Sequence, residues 1–241
     1  MTTNLHCQSL SEVCQIVDID IAEEETHRVL GLTISNTLSW TSHVYGKGQL
    51  LSSLHQRIGA LKRIAYHLPS KFLPQIAQAI VVSKLCYGVG LYGSVRMHEA
   101  DTLPDVAKEL QVVLNDTMRI ATKTRLMDRI RITDLMDRTG IRSFNRMSAE
   151  DKLTLIWQAV REEDSPLSET IERLSNDDGM TSSRSRTRGD LRTLAKTSLG
   201  QRNFPEPGVR LWNQASQDVR GAINKQSAKK AIKTFTNNLP L

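Results

Sequence analysis

The sequence predicts a mainly α fold: a helical bundle with a short N-terminal β-hairpin and a basic, partly extended C-terminal tail. Three observations carry this. Apolar residues recur at spacings of three and four from Leu50 to Val160, the helical period. β-branched runs occur only near the start, in residues 13–21 and 28–34. After the turn cluster Asn176-Asp177-Asp178-Gly179 the chain becomes polar and basic.

Residues 13–21 and 28–34 are expected as the two strands of one hairpin, with the acidic stretch Glu23–Glu25 as its turn. Such a hairpin is marginal alone and needs a helix or a further sheet over one face. Leu50, Leu51, Leu54, Ile58, Leu61 and Ile64 mark the first long helix, interrupted at Leu68-Pro69 because the residue before proline avoids the α region. Phe72 to Tyr92 resumes as a helix apolar nearly all round, which places it inside a bundle; Gly88, Gly90 and Gly93 weaken and end it. Pro104 opens the next helix, with Val106, Leu110, Val113, Leu114, Thr117 and Ile120 facing inward. Ile132–Thr139 is a short helix stopped by Gly140. Ser148 is expected to cap a helix carrying Leu153, Ile156, Trp157 and Val160. Ser165-Pro166 starts another, ending near Leu174, and two short helices close the chain near Val209–Val219 and Ala228–Leu239.

Composition narrows the function classes. With 241 residues, 39% hydrophobic and 24% charged, the chain is long enough to bury a core and is not of disordered type. Three Trp, four Tyr and four Phe are too few for an OB-fold or RRM, which stack bases on aromatic platforms. No apolar run reaches the ~18 residues of a membrane span, and no basic segment with an apolar core marks a signal peptide. Cys7, Cys14 and Cys86 are odd in number and widely spread, which excludes a disulfide framework and suits a cytoplasmic or nuclear setting.

The net charge of +6 is unevenly held: −5 over residues 1–43, +6 over 44–100, −4 over 101–178 and +9 over 179–241. A local basic excess is the footprint of a phosphate-backbone binder, although a solvated basic tail carries the same charge. Arg184, Arg186, Arg188 and Arg192 alternate with small polar residues, so an extended chain could track phosphates while Ser and Thr add hydrogen bonds. Arg202 and Arg210 follow, and Lys47, Arg57, Lys62 and Arg63 supply the helical region. Trp212, in an apolar pair with Leu211, is expected to anchor a helix rather than stack on a base.

Other constellations carry less. Gly88-Val89-Gly90-Leu91-Tyr92-Gly93 matches G-x-G-x-x-G but follows a helix instead of a strand, so its reading is a glycine-rich helix end. Asp18 and Asp20 share one face of a strand, as metal-holding carboxylates do, yet no third acid is signalled and exposed strand charges are the simpler reading. His43, His55 and His67 are twelve residues apart and do not share a helix face. No zinc spacing, Walker motif or Gly-x-Ser-x-Gly occurs.

The order of several stretches resembles the C-terminal part of the reverse transcriptase of LINE-like (non-LTR, jockey-type) retrotransposons. The stretches are Val29-Leu30-Gly31-Leu32-Thr33-Ile34 with Leu38-Ser39-Trp40 and His43; Leu61-Lys62-Arg63 with Leu68-Pro69; Leu85-Cys86-Tyr87-Gly88 with Tyr92-Gly93; Ser185-Arg186-Thr187-Arg188-Gly189; Leu199-Gly200-Gln201-Arg202-Asn203-Phe204; and Gly208-Val209-Arg210-Leu211-Trp212-Asn213. The resemblance covers residue 13 to the end. It implies a palm-edge hairpin remnant over 1–38 whose Leu30-Gly31 is primer-grip-like, a helical thumb-like bundle over 39–176, and a basic nucleic-acid-binding segment over 177–241. The implied partners are RNA or an RNA–DNA duplex, together with the missing polymerase and endonuclease portions. No membrane and no small-molecule cofactor is implied, and Mg²⁺ would belong to the missing palm.

The departures are specific. No Tyr-x-Asp-Asp occurs, so the chain is not expected to polymerise alone. His27-Arg28-Val29 stands where the family has an aromatic residue before Leu-Gly, and Gln214-Ala215-Ser216 where it has Leu-Pro after Trp-Asn. The alternatives are a helical protein-interaction scaffold, whose acidic middle meets a basic partner, and a non-functional retroelement remnant.

Overall fold

A computed structural model describes residues 14–16, 19–21, 24–101, 104–162, 165, 167–168, 171–173, 190–193 and 204–240. The chain divides into two compact units, residues 1–43 and 44–241.

In the first unit β1 (Cys14–Ile16) pairs antiparallel with β2 (Ile19–Ile21), and β3 (Thr26–Val29) with β4 (Leu32–Ser35). The single hairpin expected between 13–21 and 28–34 is therefore two hairpins in separate sheets. Leu30-Gly31 decides this. Val29 pairs with Leu32, and the two residues between them have φ of 48° and 84°. Two successive left-handed residues make the tight loop whose twist matches the strands it joins. Glu25 is not a turn residue of a larger hairpin; its carbonyl accepts from Asn36 N at 2.9 Å and prolongs the β3–β4 ladder. β3 is exposed along its length while Leu32, Thr33 and Ser35 of β4 are buried. His43, in the one-turn helix α1 (Thr41–Val44), is buried and its Nδ1 accepts from Thr33 N at 3.3 Å, a structural histidine.

The second unit is helical apart from one small sheet among the described residues. α2 (Leu50–His67) buries Leu50, Leu54, Ile58, Leu61 and Ala65; Ile64, expected on this stripe, lies off it and is exposed. Leu68 ends α2 in extended geometry ahead of Pro69. The expected apolar helix is segmented: a 3₁₀ turn (Ser70–Phe72), α3 (Leu73–Ala77), a π turn (Gln78–Val82), α4 (Ser83–Cys86), then α5 (Val89–Tyr92). Leu73, Ala77, Val81 and Leu85 are fully buried. A strict four-residue spacing drifts by about 40° per step on an ideal α-helix. The wider π turn offsets the drift and keeps the stripe on one face. Gly88, at φ 71°, makes the break before α5.

α6 (Asp105–Thr122) follows Pro104 and packs on α2, α3 and α7 (Ile132–Thr139), which Gly140 stops at φ 66°. α8 (Phe144–Arg161) is capped by Ser143, whose Oγ accepts from Arg146 N at 3.4 Å. Ser148, the expected cap, is instead buried inside α8. The helix begins a turn earlier because Phe144 and Met147 extend its buried face.

β5 (Ile171–Arg173) pairs antiparallel with β6 (Leu191–Thr193), so the helix expected from Ser165-Pro166 to Leu174 is strand over 171–173; Pro166, Glu169, Thr170 and Leu174 lie outside the described residues. The pairing is tertiary in origin. Asn213 in α9 (Glu206–Gln214) accepts from Leu191 N and donates to Leu191 O, both at 2.9 Å, fastening β6 to the helix. α10 (Gln217–Arg220) and α11 (Lys225–Asn237) complete the helices of the described residues. Leu153, Ile156 and Trp157 of α8 share one apolar cluster with Val209, Leu211 and Trp212 of α9, Val219 of α10 and Ala228 and Ile232 of α11. Trp212 thus anchors a helix, as its apolar neighbour suggested.

Candidate nucleic-acid interface

The ten cations singled out from the sequence fall into three groups. Arg184, Arg186, Arg188 and Arg202 lie outside the described residues. Arg57, Arg192 and Arg210 are engaged within the protein. Arg57 Nη1 donates to Ile80 O at 2.8 Å, satisfying a carbonyl of the π turn. Arg210 pairs with Glu206 at 3.1 Å on the face of α9, and Arg192 is exposed on β6 with interactions of its own. Lys47, Lys62 and Arg63 are exposed and carry no ion pair among the described residues.

Lys62 and Arg63 belong to a larger surface at the C-terminal end of α2. One helical turn on are Tyr66, 84% exposed, and His67, whose rings meet edge to face at 5.1 Å. Lys71 and the exposed Phe72 follow, the ammonium 4.8 Å from the ring centroid. Residues 44–98 contain no Asp or Glu, so no carboxylate of this stretch neutralises the cluster. Glu109 of α6 interacts with Tyr45, which precedes α2; burial, and then Glu109, raises the Tyr45 phenol pKa. The cations also face the negative end of the helix dipole, which favours them locally. That accounts for Lys62 and Arg63 but not for two exposed aromatic rings beside them. Sequence reasoning passed over Tyr66, Lys71 and Phe72; the absence of acids from 44–98 was the signal available.

The other sequence candidates fall at a hairpin turn and at helix ends. Leu30 and Gly31 form the β3–β4 turn, with Leu30 85% exposed at its tip. Gly88-x-Gly90-x-x-Gly93 joins helix to helix, and its glycines serve packing. A Cβ on Gly90 would lie 2.6 Å from Asp151 Oδ2, and one on Gly93 would meet Ser148 Oγ and Val89 O. Gly90 N donates to Asp151 Oδ2 at 2.8 Å, and Lys152 Nζ donates to Gly90 O. Burial drives the Lys152 ammonium from its ordinary 10.5 to about 8, against the attraction of Asp151.

A cleft of about 620 Å³ lined by the 78–89 segment, α8 and the start of α11 contains Glu150 and Asp151. Neither is available for acid–base work. Glu150 is paired with Arg142, and Asp151 holds Gly90 N. Cys86 in the same cleft is pushed up to about 11, chiefly by burial and then by Asp151, so it stays a thiol. Among the described residues no group of three His, Cys, Asp or Glu is placed to hold a metal. No family model, curated protein or solved structure matches the chain.

Proposed function

We propose that the chain is the thumb and C-terminal region of a LINE-like reverse transcriptase, and that it holds RNA or an RNA–DNA duplex by the backbone, with little regard for sequence. The observation that carries this is the end of α2: Lys62, Arg63, His67 and Lys71 interleaved with exposed Tyr66 and Phe72, within 55 residues free of acid. Cations that neutralise phosphates release counterions, and rings that stack on bases do so whatever the base. The motif order from Val29-Leu30-Gly31 to Trp212-Asn213 supports the same reading. The sequence has no Tyr-x-Asp-Asp, so these residues bind and position rather than synthesise.

The test is fluorescence anisotropy of the chain with an RNA hairpin and with an RNA–DNA duplex over a salt series. Contact with about six phosphates gives a log–log slope of roughly −4 to −5. Lys62→Ala/Arg63→Ala is expected to flatten that slope by about two. Tyr66→Ala is expected to weaken binding about tenfold at unchanged slope, as loss of one stacking contact does. An unchanged slope in the double variant would remove α2 from the interface. Absence of binding at low salt by folded protein would leave the interaction-scaffold reading in its place.

A further inference from the structure

The loop joining α6 to α7 presents a second, chemically different surface. Over Lys123–Arg131 it reads Lys-Thr-Arg-Leu-Met-Asp-Arg-Ile-Arg: four cations around an adjacent apolar pair. Leu126 is 72% and Met127 86% exposed, and Lys123, Arg125, Arg129 and Arg131 are exposed as well. None of the four is ion-paired among the described residues.

The loop is held in one shape. Lys123 at φ 54° turns the chain out of α6, and Arg129 at φ 48° turns it back toward α7. Between them Leu126–Asp128 is a 3₁₀ turn. Asp128, the loop's one acid, accepts from Arg125 N at 2.6 Å, and Asp128 N donates back to Arg125 O at 3.1 Å. Thr124 N reaches Arg119 O at 3.0 Å, and the hydroxyls of Thr122 and Thr124 meet at 2.9 Å. Two large apolar side chains are thus fixed outward on a pre-shaped loop, flanked by cations on both sides. Preorganisation of this kind removes the ordering cost of a contact in advance.

We infer that Leu126 and Met127 form a wedge that enters a base step of a nucleic-acid duplex, while Lys123, Arg125, Arg129 and Arg131 hold the phosphates on either side. The inference rests on the nucleic-acid reading of the α2 surface and extends it from holding a duplex to deforming one. Leu and Met are among the side chains that partially unstack a step from a groove, and the unstacking is offset by the backbone contacts that the resulting kink allows. Charge complementarity sets the partner: the loop offers four cations against one committed carboxylate. A lipid surface would also accept an apolar tip between cations, and the experiment separates the two.

The full chain is titrated into a short RNA–DNA duplex with 2-aminopurine at internal positions. Binding is read by anisotropy and unstacking by the probe's fluorescence. The expected result is a several-fold fluorescence rise on binding. Leu126→Ala/Met127→Ala should abolish the rise and weaken binding about tenfold at unchanged salt slope. Arg125→Ala/Arg131→Ala should flatten the slope by about two. All four positions are exposed, and circular dichroism confirms that the variants stay folded. Binding with no fluorescence rise, or a rise that persists in the Leu126/Met127 variant, overturns the wedge and leaves the α2 interface standing. No binding by the wild type overturns both. Binding to phosphatidylserine vesicles that is lost in the Leu126/Met127 variant, with no unstacking of the duplex, assigns the loop to lipid and also overturns the wedge.

Discussion

At the scale of single residues, the informative positions are those where a side chain sits against its own preference. Lys152 is 1% exposed and gives its ammonium to Gly90 O, with the Phe204 ring 5.6 Å away. Its pKa falls from 10.5 to about 8 through burial. Between those values the unfolded chain keeps a proton that the folded chain has released, so stability rises with pH across the window. Urea unfolding at pH 8 and pH 10 should show wild type gaining on Lys152→Met by about 2 kcal/mol. Below about pH 7 the difference should be flat, and a gain on acidification would contradict the burial argument. Lys123 and Arg129 hold left-handed backbone that glycine adopts without strain. Lys123→Gly should therefore raise stability by about 1 kcal/mol in the same assay while weakening duplex binding. A cation kept at a strained position is what the wedge proposal requires.

At the scale of elements, the β5–β6 sheet depends on α9 more than on its own three-residue strands. Asn213 makes both bonds to Leu191 that a neighbouring strand would make. Arg220 pairs with Asp190 at 2.8 Å, each side chain 6% exposed, and also donates to Asn213 O at 2.6 Å. Asp190→Ala should cost about 3–5 kcal/mol, because it strands a buried guanidinium. Asn213→Ala should cost less, about 1–3 kcal/mol, and both are read by thermal unfolding. This sheet shows where sequence reasoning stopped. α7 was legible to its ends, since an apolar period closed by Gly140 is local information. β5 was not, because its partner lies some twenty residues on and is held by an asparagine twenty residues further still. The proposed interface divides the same way. Lys62 was legible as charge, but nothing local distinguishes it from Arg57 on the same helix, which a carbonyl of the π turn claims. Tyr66, Leu126 and Met127 are large side chains that no local pattern marks as surface, and the structure leaves them exposed.

At the scale of the molecule, α8 is the element on which the second unit is assembled. It packs against α5, α6, α9 and α11, and its first turn secures distant segments as well. Asn145 exchanges hydrogen bonds with Arg96 N and O and donates to Pro240 O, and Arg146 donates to Leu239 O. Trp157 and Trp212 both sit in the cluster that α8 anchors. Their fluorescence and the far-ultraviolet circular dichroism of all the helices should therefore lose signal at one urea midpoint. Leu153→Ala, at a fully buried position, should lower that midpoint for both signals together, by about 2–5 kcal/mol in stability. Separate midpoints would mean that α8 does not unite the unit. The same arrangement has a consequence during synthesis. α8 is complete at Arg161, but the helices that cover Leu153, Ile156 and Trp157 run from Glu206 to Asn237. At ribosomal speeds that interval lasts roughly 4 to 15 seconds. For that time the nascent chain carries an uncovered apolar helix, which makes it a substrate for chaperones that bind such segments before the last helices arrive.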